Sequence, residues 1–132
     1  MSLLAIFRYP ELYHTAVAWA PLSNLLFYDT IYMERYMGLP SDNAAGYRDG
    51  SPITYAHHLK GNLLVVHGTA DNNCHYANTE ALVDELVAAN KQFSMLAYPN
   101  RTHRIREGRN TTRHVFGLLT SYLQKNLPPG PK

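Results

Sequence analysis

Three short apolar, β-rich runs constrain this chain more than any other feature. They are "TAVAWA" (15–20), "NLLVVHG" (62–68) and "FSMLAYP" (93–99), and patterns of helical period lie between and after them. The first two runs are almost continuously apolar, as strands buried on both faces are. "YDTIYMERYMG" reads as a helix with Asp29 as N-cap, and "SPITYAHHL" as one with Ser51 as N-cap and Pro52 at the first helical position. "ANTEALVDELVAANK" puts Leu82, Val83, Leu86 and Val87 on one face. The last pattern, "TTRHVFGLLTSYLQKNL", does the same with Val115, Leu118, Leu119, Tyr122 and Leu123 before "PPGPK" stops it. Strands alternating with helices predict βαβ units: an α/β fold with a mainly parallel sheet and helices on both faces, a three-layer sandwich.

The bulk numbers agree and exclude several classes. A 132-residue chain with 45% hydrophobic and 17% charged residues is long enough to bury a core and too apolar for a disordered segment. A formal charge of +2 is too small to argue for nucleic acid. The single cysteine, Cys74, excludes an internal disulfide. No apolar run is long enough to span a membrane. "MSLLAIFRYPEL" has neither a basic start nor a small-residue cleavage site and does not read as a secretory signal.

Ligands of open α/β sheets bind beyond the carboxyl ends of the strands. Those ends are "APLSN", "GTADNNCH" and "PNRTHRIREGRN", which place Asp71 and His103 on neighbouring strand ends. A carboxylate and a histidine so placed form the later part of a Ser…Asp…His order. The histidine takes a proton from a serine with one ring nitrogen, and the aspartate fixes the tautomer by accepting from the other. The plainer alternative makes Asp71 a turn cap and His103 a surface histidine.

The longer stretches "YDTIYMERYMGLP", "GSPITYAHHLKGNLLVVHGTADNN" and "YPNRTHRI" resemble the catalytic domain of the prolyl oligopeptidase family, in its dipeptidyl peptidase IV branch. The resemblance covers nearly the whole chain. It implies the C-terminal half of an α/β-hydrolase fold over residues 1–132, truncated upstream of the nucleophile, and cleavage of peptides after proline-like residues. Asp71 then matches the triad aspartate and His103 the triad histidine. Tyr28 and Tyr32 match tyrosines lining the pocket for the proline-like side chain, Leu22 and Cys74 its small apolar residues, and Asn73 an asparagine holding a substrate carbonyl. Residue chemistry alone leaves Tyr28 and Tyr32, at i and i+4, open to being a core stripe.

The family's Gly-x-Ser-x-Gly turn does not occur in this sequence: none of Ser2, Ser23, Ser41, Ser51, Ser94 and Ser121 has glycine on both sides at that spacing. The resemblance places the nucleophile, the oxyanion donors and a β-propeller upstream, so these residues alone are expected to be inactive. The strand at 15–20 would then present a bare edge, and self-association into a homo-oligomer is expected. The resemblance suggests a periplasmic, membrane-associated or secreted setting and implies no cofactor. Three residues depart from the family pattern: Arg104 where glycine is usual, Asn72 where a second acid is common, and Trp19, expected to fill a helix-facing gap.

Rival readings remain open at this point. An esterase, an acyl-peptide hydrolase or a peptide-binding descendant without catalysis would share the Asp–His pattern. Arg101, Arg104, Arg106, Arg109 and Arg113 cluster with His103 and His114, but no nucleic-acid motif or interleaved aromatics accompany them. The seven histidines lack metal-ligand spacing, and the adjacent His57 and His58 are expected to diverge on a helix, so no metal is expected. The sequons at Asn100 and Asn110 read as chance.

Overall fold

The structure, a computed structural model, describes residues 1–127. The elements in chain order are α1 (Ser2–Arg8), β1 (Thr15–Trp19), α2 (Thr30–Met37), α3 (Ala44–Gly50), β2 (Asn62–Gly68), α4 (Ala77–Ala88), β3 (Ser94–Tyr98) and α5 (Thr111–Asn126). Short 3-10 segments occupy Leu25–Phe27 and Pro52–His58. The three expected strands form one parallel sheet in the order β1-β2-β3. Ala18 lies opposite Val65, and Val66 opposite Leu96.

Side-chain alternation along the central strand builds the three layers. Leu63 and Val65 point into a core with Leu3, Ile6 and Phe7 of α1, Ala56 and Leu59 of the 3-10 segment, and Leu82 and Leu86 of α4. Leu64 and Val66 point the other way, into Tyr98, Ile105 and Val115, with Leu118, Leu119 and Tyr122 of α5 packed alongside. From Leu63 to Gly68 every residue of β2 is buried.

Five sequence expectations are corrected. In β1 only Ala18 is buried, because this strand has a neighbour on one side only. Pro52–His58 coils as a 3-10 helix with Ser51 at its N-cap and Pro52 at its start, but the Ser51 side chain makes no capping bond. Its hydroxyl instead donates to the Tyr47 carbonyl at 2.6 Å and accepts the Leu25 N–H at 2.9 Å. The rings of His57 and His58 lie beside one another, 4.0 Å between centroids, rather than diverging. Only Leu82 and Leu86 of the expected α4 face are buried, and Val87 is exposed. In α5, Leu123 is likewise exposed. The "PPGPK" stop lies outside the described residues. The helices Ser2–Arg8 and Ala44–Gly50 are not among those the sequence patterns predict.

Candidate active site

The three strand-end loops converge at the carboxyl edge of the sheet. After β1 the chain turns at Ala20, a buried residue at φ 43°, whose N–H donates to the Val66 carbonyl at 2.8 Å. Such a conformation is held only when its surroundings over-determine it. Asn78, fully buried in the first turn of α4, supplies that hold for the loop that follows. Its Oδ1 accepts the N–H groups of Ser23 at 3.1 Å and Asn24 at 3.2 Å, and its Nδ2 donates to the Phe27 carbonyl at 3.3 Å. The loop thereby delivers Tyr28 and the start of α2 to the site.

β2 ends at Gly68 and delivers Asp71, whose side chain is entirely withdrawn from solvent. One oxygen, Oδ1, accepts the N–H groups of Asn73 at 2.9 Å and Cys74 at 3.0 Å, a tight Asx turn. The other, Oδ2, faces His103 Nδ1 at 2.8 Å and His67 Nε2 at 2.9 Å. Burial by itself would raise the pKa of this carboxyl. The hydrogen bonds from His103, the Asn73 N–H and His67 outweigh it, and the pKa lies below the usual value.

A pKa depressed on folding stabilises the fold above the unfolded value, and that contribution is lost as pH falls through the folded value. Denaturant midpoints should therefore begin to fall below about pH 5, keep falling as pH drops past the ordinary carboxyl value of 3.8, and fall less steeply in Asp71→Asn. Equal acid slopes in both proteins would count against an ionised Asp71.

The third loop approaches β2 closely. Thr69 N–H donates to the Tyr98 carbonyl at 3.0 Å and Ala70 N–H to that of Arg101 at 3.1 Å. Glu107 accepts the N–H groups of Thr102 and Arg106, both at 3.2 Å, and the Thr102 hydroxyl. The Thr102 hydroxyl, followed by backbone donors, lowers the Glu107 pKa to about 2. Ile105 is fully buried at φ 49°, an unusual conformation for a β-branched residue, and anchors the loop in the core. Trp19 does more than fill a gap, since its indole N–H donates to the His103 carbonyl at 3.2 Å. Together these contacts aim an imidazole that is 43% exposed at its open end.

Beside His103 opens a pocket of about 320 Å³ lined by Ala20, Leu22, Tyr28, Tyr32, Met33, Asn73 and Cys74. All five residues expected to contact substrate are in it. Tyr32 is 53% exposed, which removes the core-stripe alternative. The Tyr28 and Tyr32 rings meet edge to face at 5.6 Å, and the Tyr28 hydroxyl donates to Asn73 Oδ1 at 2.8 Å. Burial, and after it the charge of Asp71, pushes the Cys74 thiol up to about 11, so it acts as an apolar wall. On the other side of His103, exposed Arg104 and Arg106 line a second opening with Trp19 and Phe116. Arg101 is turned away from any basic patch, its guanidinium donating to Thr111 Oγ1 and to the Pro99 carbonyl.

Sequence pattern alone does not mark His67 or Asn78 as part of the site. His67 is fully buried, and its signal was a histidine inside an apolar strand, which must find hydrogen-bond partners. Among the described residues, no three His, Cys, Asp or Glu side chains are grouped to hold a metal ion, and no helix is long and apolar enough to cross a membrane.

Chemically, an imidazole oriented by a buried carboxylate beside an aromatic slot can serve as a general base for a nucleophile presented at its exposed nitrogen. Comparison with known proteins gives a consistent picture. The model for the prolyl oligopeptidase family matches residues 1–129. Dipeptidyl peptidase 8 of Homo sapiens is 38% identical over 130 residues, covering 96% of this chain and 14% of that protein. Prolyl endopeptidase FAP of Mus musculus is 33% identical over 128 residues, covering 95% of this chain and 17% of the relative. The crystal structure of Porphyromonas gingivalis dipeptidyl peptidase 4 superposes with a TM-score of 0.91 at 38% identity, over 95% of this chain and 18% of that one. The chain thus spans less than a fifth of the length of these relatives.

Proposed function

This chain belongs to the prolyl oligopeptidase family, and we propose that it is the C-terminal portion of the catalytic domain of a serine peptidase that cuts after proline-like residues. The observation that supports this most is the position of His103, hydrogen-bonded to buried Asp71 and opening onto the Tyr28–Tyr32 pocket. A proline ring is flat and apolar, and a shallow slot with aromatic walls suits it. Asn73 has its oxygen engaged by Tyr28, so its NH₂ group is the end that serves a substrate carbonyl. In the whole protein a serine from outside these residues would stand at the exposed nitrogen of His103. His103 would take its proton and return it to the leaving amine, while Asp71 would stabilise the imidazolium in between.

The 132 residues by themselves contain the base and its orienting acid and no Gly-x-Ser-x-Gly turn. Incubated with a chromogenic Xaa-Pro substrate, this polypeptide is expected to release no more product than its His103→Ala variant. Turnover above that control would place a nucleophile within the chain and sink the division of labour proposed here.

The open edge of β1 supports a second expectation. Its outer backbone groups are unpaired within the sheet, and Leu12, Tyr13 and Phe116 are exposed. The isolated chain should self-associate through this edge. Light scattering that gives a monodisperse monomer would contradict it.

A further inference from the structure

His67 is fully buried, contributes to neither apolar cluster, and has a polar neighbour for each ring nitrogen. Nε2 lies 2.9 Å from Asp71 Oδ2 and 2.9 Å from the Cys74 carbonyl oxygen. Both are acceptors, so Nε2 must carry a proton. Nδ1 lies 2.8 Å from the hydroxyl oxygen of Thr79, which is also fully buried. A hydroxyl can donate to Nδ1, and when it does the ring is the neutral Nε2–H tautomer. The result is a continuous line from α4 through β2 to the catalytic loop: Thr79, His67, Asp71, His103.

We propose that His67, locked by Thr79 as the neutral Nε2–H tautomer, is a positioning residue that fixes the Asp71 carboxylate on His103. The inference rests on the reading of Asp71 and His103 as the acid–base pair, and it adds a second histidine whose role the triad pattern does not contain. A carboxylate offers about four lone-pair sites. Here the Asn73 and Cys74 N–H groups fill those of Oδ1, and His103 and His67 fill those of Oδ2. With all four engaged, the carboxylate plane cannot rotate. The bifurcated bond to the Cys74 carbonyl ties the same imidazole to the turn that lines the substrate pocket.

Neutrality is what makes this arrangement useful. A cationic ring at this position would neutralise Asp71 from behind and weaken its hold on the imidazolium that forms on His103. A neutral N–H donor orients the carboxylate and leaves its negative charge for His103. A hydroxyl at Nδ1 is the simplest group that can favour that state. A carboxylate there would favour the doubly protonated ring.

The experiment uses ring ¹H–¹⁵N correlations from carbon-bound protons, which report the tautomer of each histidine in the full 132-residue chain. In the unaltered chain, His67 is expected as Nε2–H and His103 as Nδ1–H. His67→Phe should leave His103 exchanging between tautomers. His67→Gln, which restores a donor to Asp71, should return it to Nδ1–H. In the whole protein the Phe variant should lose about tenfold to a hundredfold in kcat, the size of loss seen when a partner that orients a metal-ligating side chain is removed, and the Gln variant should recover most of it. Should His67→Phe not fold, Thr79→Val decides the matter, because it keeps the imidazole and removes only its lock; His67 is then expected to leave the pure Nε2–H state.

A doubly protonated or Nδ1–H His67 in the unaltered chain, an unchanged His67 tautomer in Thr79→Val, or an unperturbed His103 in a folded His67→Phe would each overturn the proposal. Failure of the peptidase reading looks different: the whole enzyme would not cleave Xaa-Pro substrates while the tautomer pattern stayed as described.

Discussion

Asp71→Asn in the whole protein is expected to lower kcat on an Xaa-Pro substrate by about 10⁴-fold, the loss typical when the orienting carboxylate of a triad becomes an amide. The local hydrogen bonds say why the defect is chemical. An amide has one acceptor oxygen where the carboxylate has two. If that oxygen keeps the Asn73 and Cys74 N–H groups, the NH₂ group must face His103 Nδ1 and His67 Nε2. His103 then holds its proton on the outward nitrogen, where it cannot accept one from a nucleophile. The reverse flip sets the NH₂ group against two backbone donors and is the costlier choice. Steady-state kinetics should show the loss in kcat with KM little changed, because the Tyr28–Tyr32 pocket is untouched. A loss below about tenfold would mean that Asp71 does not set the His103 tautomer.

Gly68→Ala should damage stability and chemistry together. A Cβ at Gly68 would overlap the Arg101 carbonyl and come within 2.7 Å of the Thr102 carbonyl oxygen, both of them backbone atoms of the loop that ends in His103. No rotamer can relieve a clash between a Cβ and main chain, so the loop or the strand end has to move. The cost is about 3 kcal/mol, at the upper end of typical overpacking. The loop that must give carries His103, whose 2.8 Å contact with Asp71 joins it to the loop after β2. The denaturant midpoint should fall and residual activity should drop further than the folded fraction accounts for. A variant as stable and as active as the parent would show that the approach of the two loops is not needed.

Much of this site was legible before any coordinates. The strand positions came from short apolar runs of the kind two-sided burial produces; β2 bears that out with six consecutive buried residues, while β1 is buried only at Ala18. Asp71 and His103 were legible because parallel strands put their following loops on one edge, so adjacent strands imply adjacent loops. Other parts were hidden for identifiable reasons. The helices Ser2–Arg8 and Ala44–Gly50 are seven residues each, too short for a period to stand out. Val87 followed the helical period, yet α4 buries Asn78, Thr79, Leu82 and Leu86, so its packed face lies to one side of Val87 and includes two polar residues that the apolar pattern does not mark. His67 was read as part of a strand, although a buried imidazole four residues before an aspartate had to be bonded to something. Asn78 could not be found by period or motif, because its partners lie on a loop more than fifty positions away.

The acid–base assignment is tested most directly by the rate at which the whole enzyme cleaves a chromogenic Xaa-Pro substrate with and without the His103 imidazole. With His103→Ala, kcat should fall by about 10⁴-fold or more while the variant still binds a proline-containing product through the Tyr28–Tyr32 pocket. Turnover within about tenfold of the unaltered enzyme would contradict the assignment of His103 as the base.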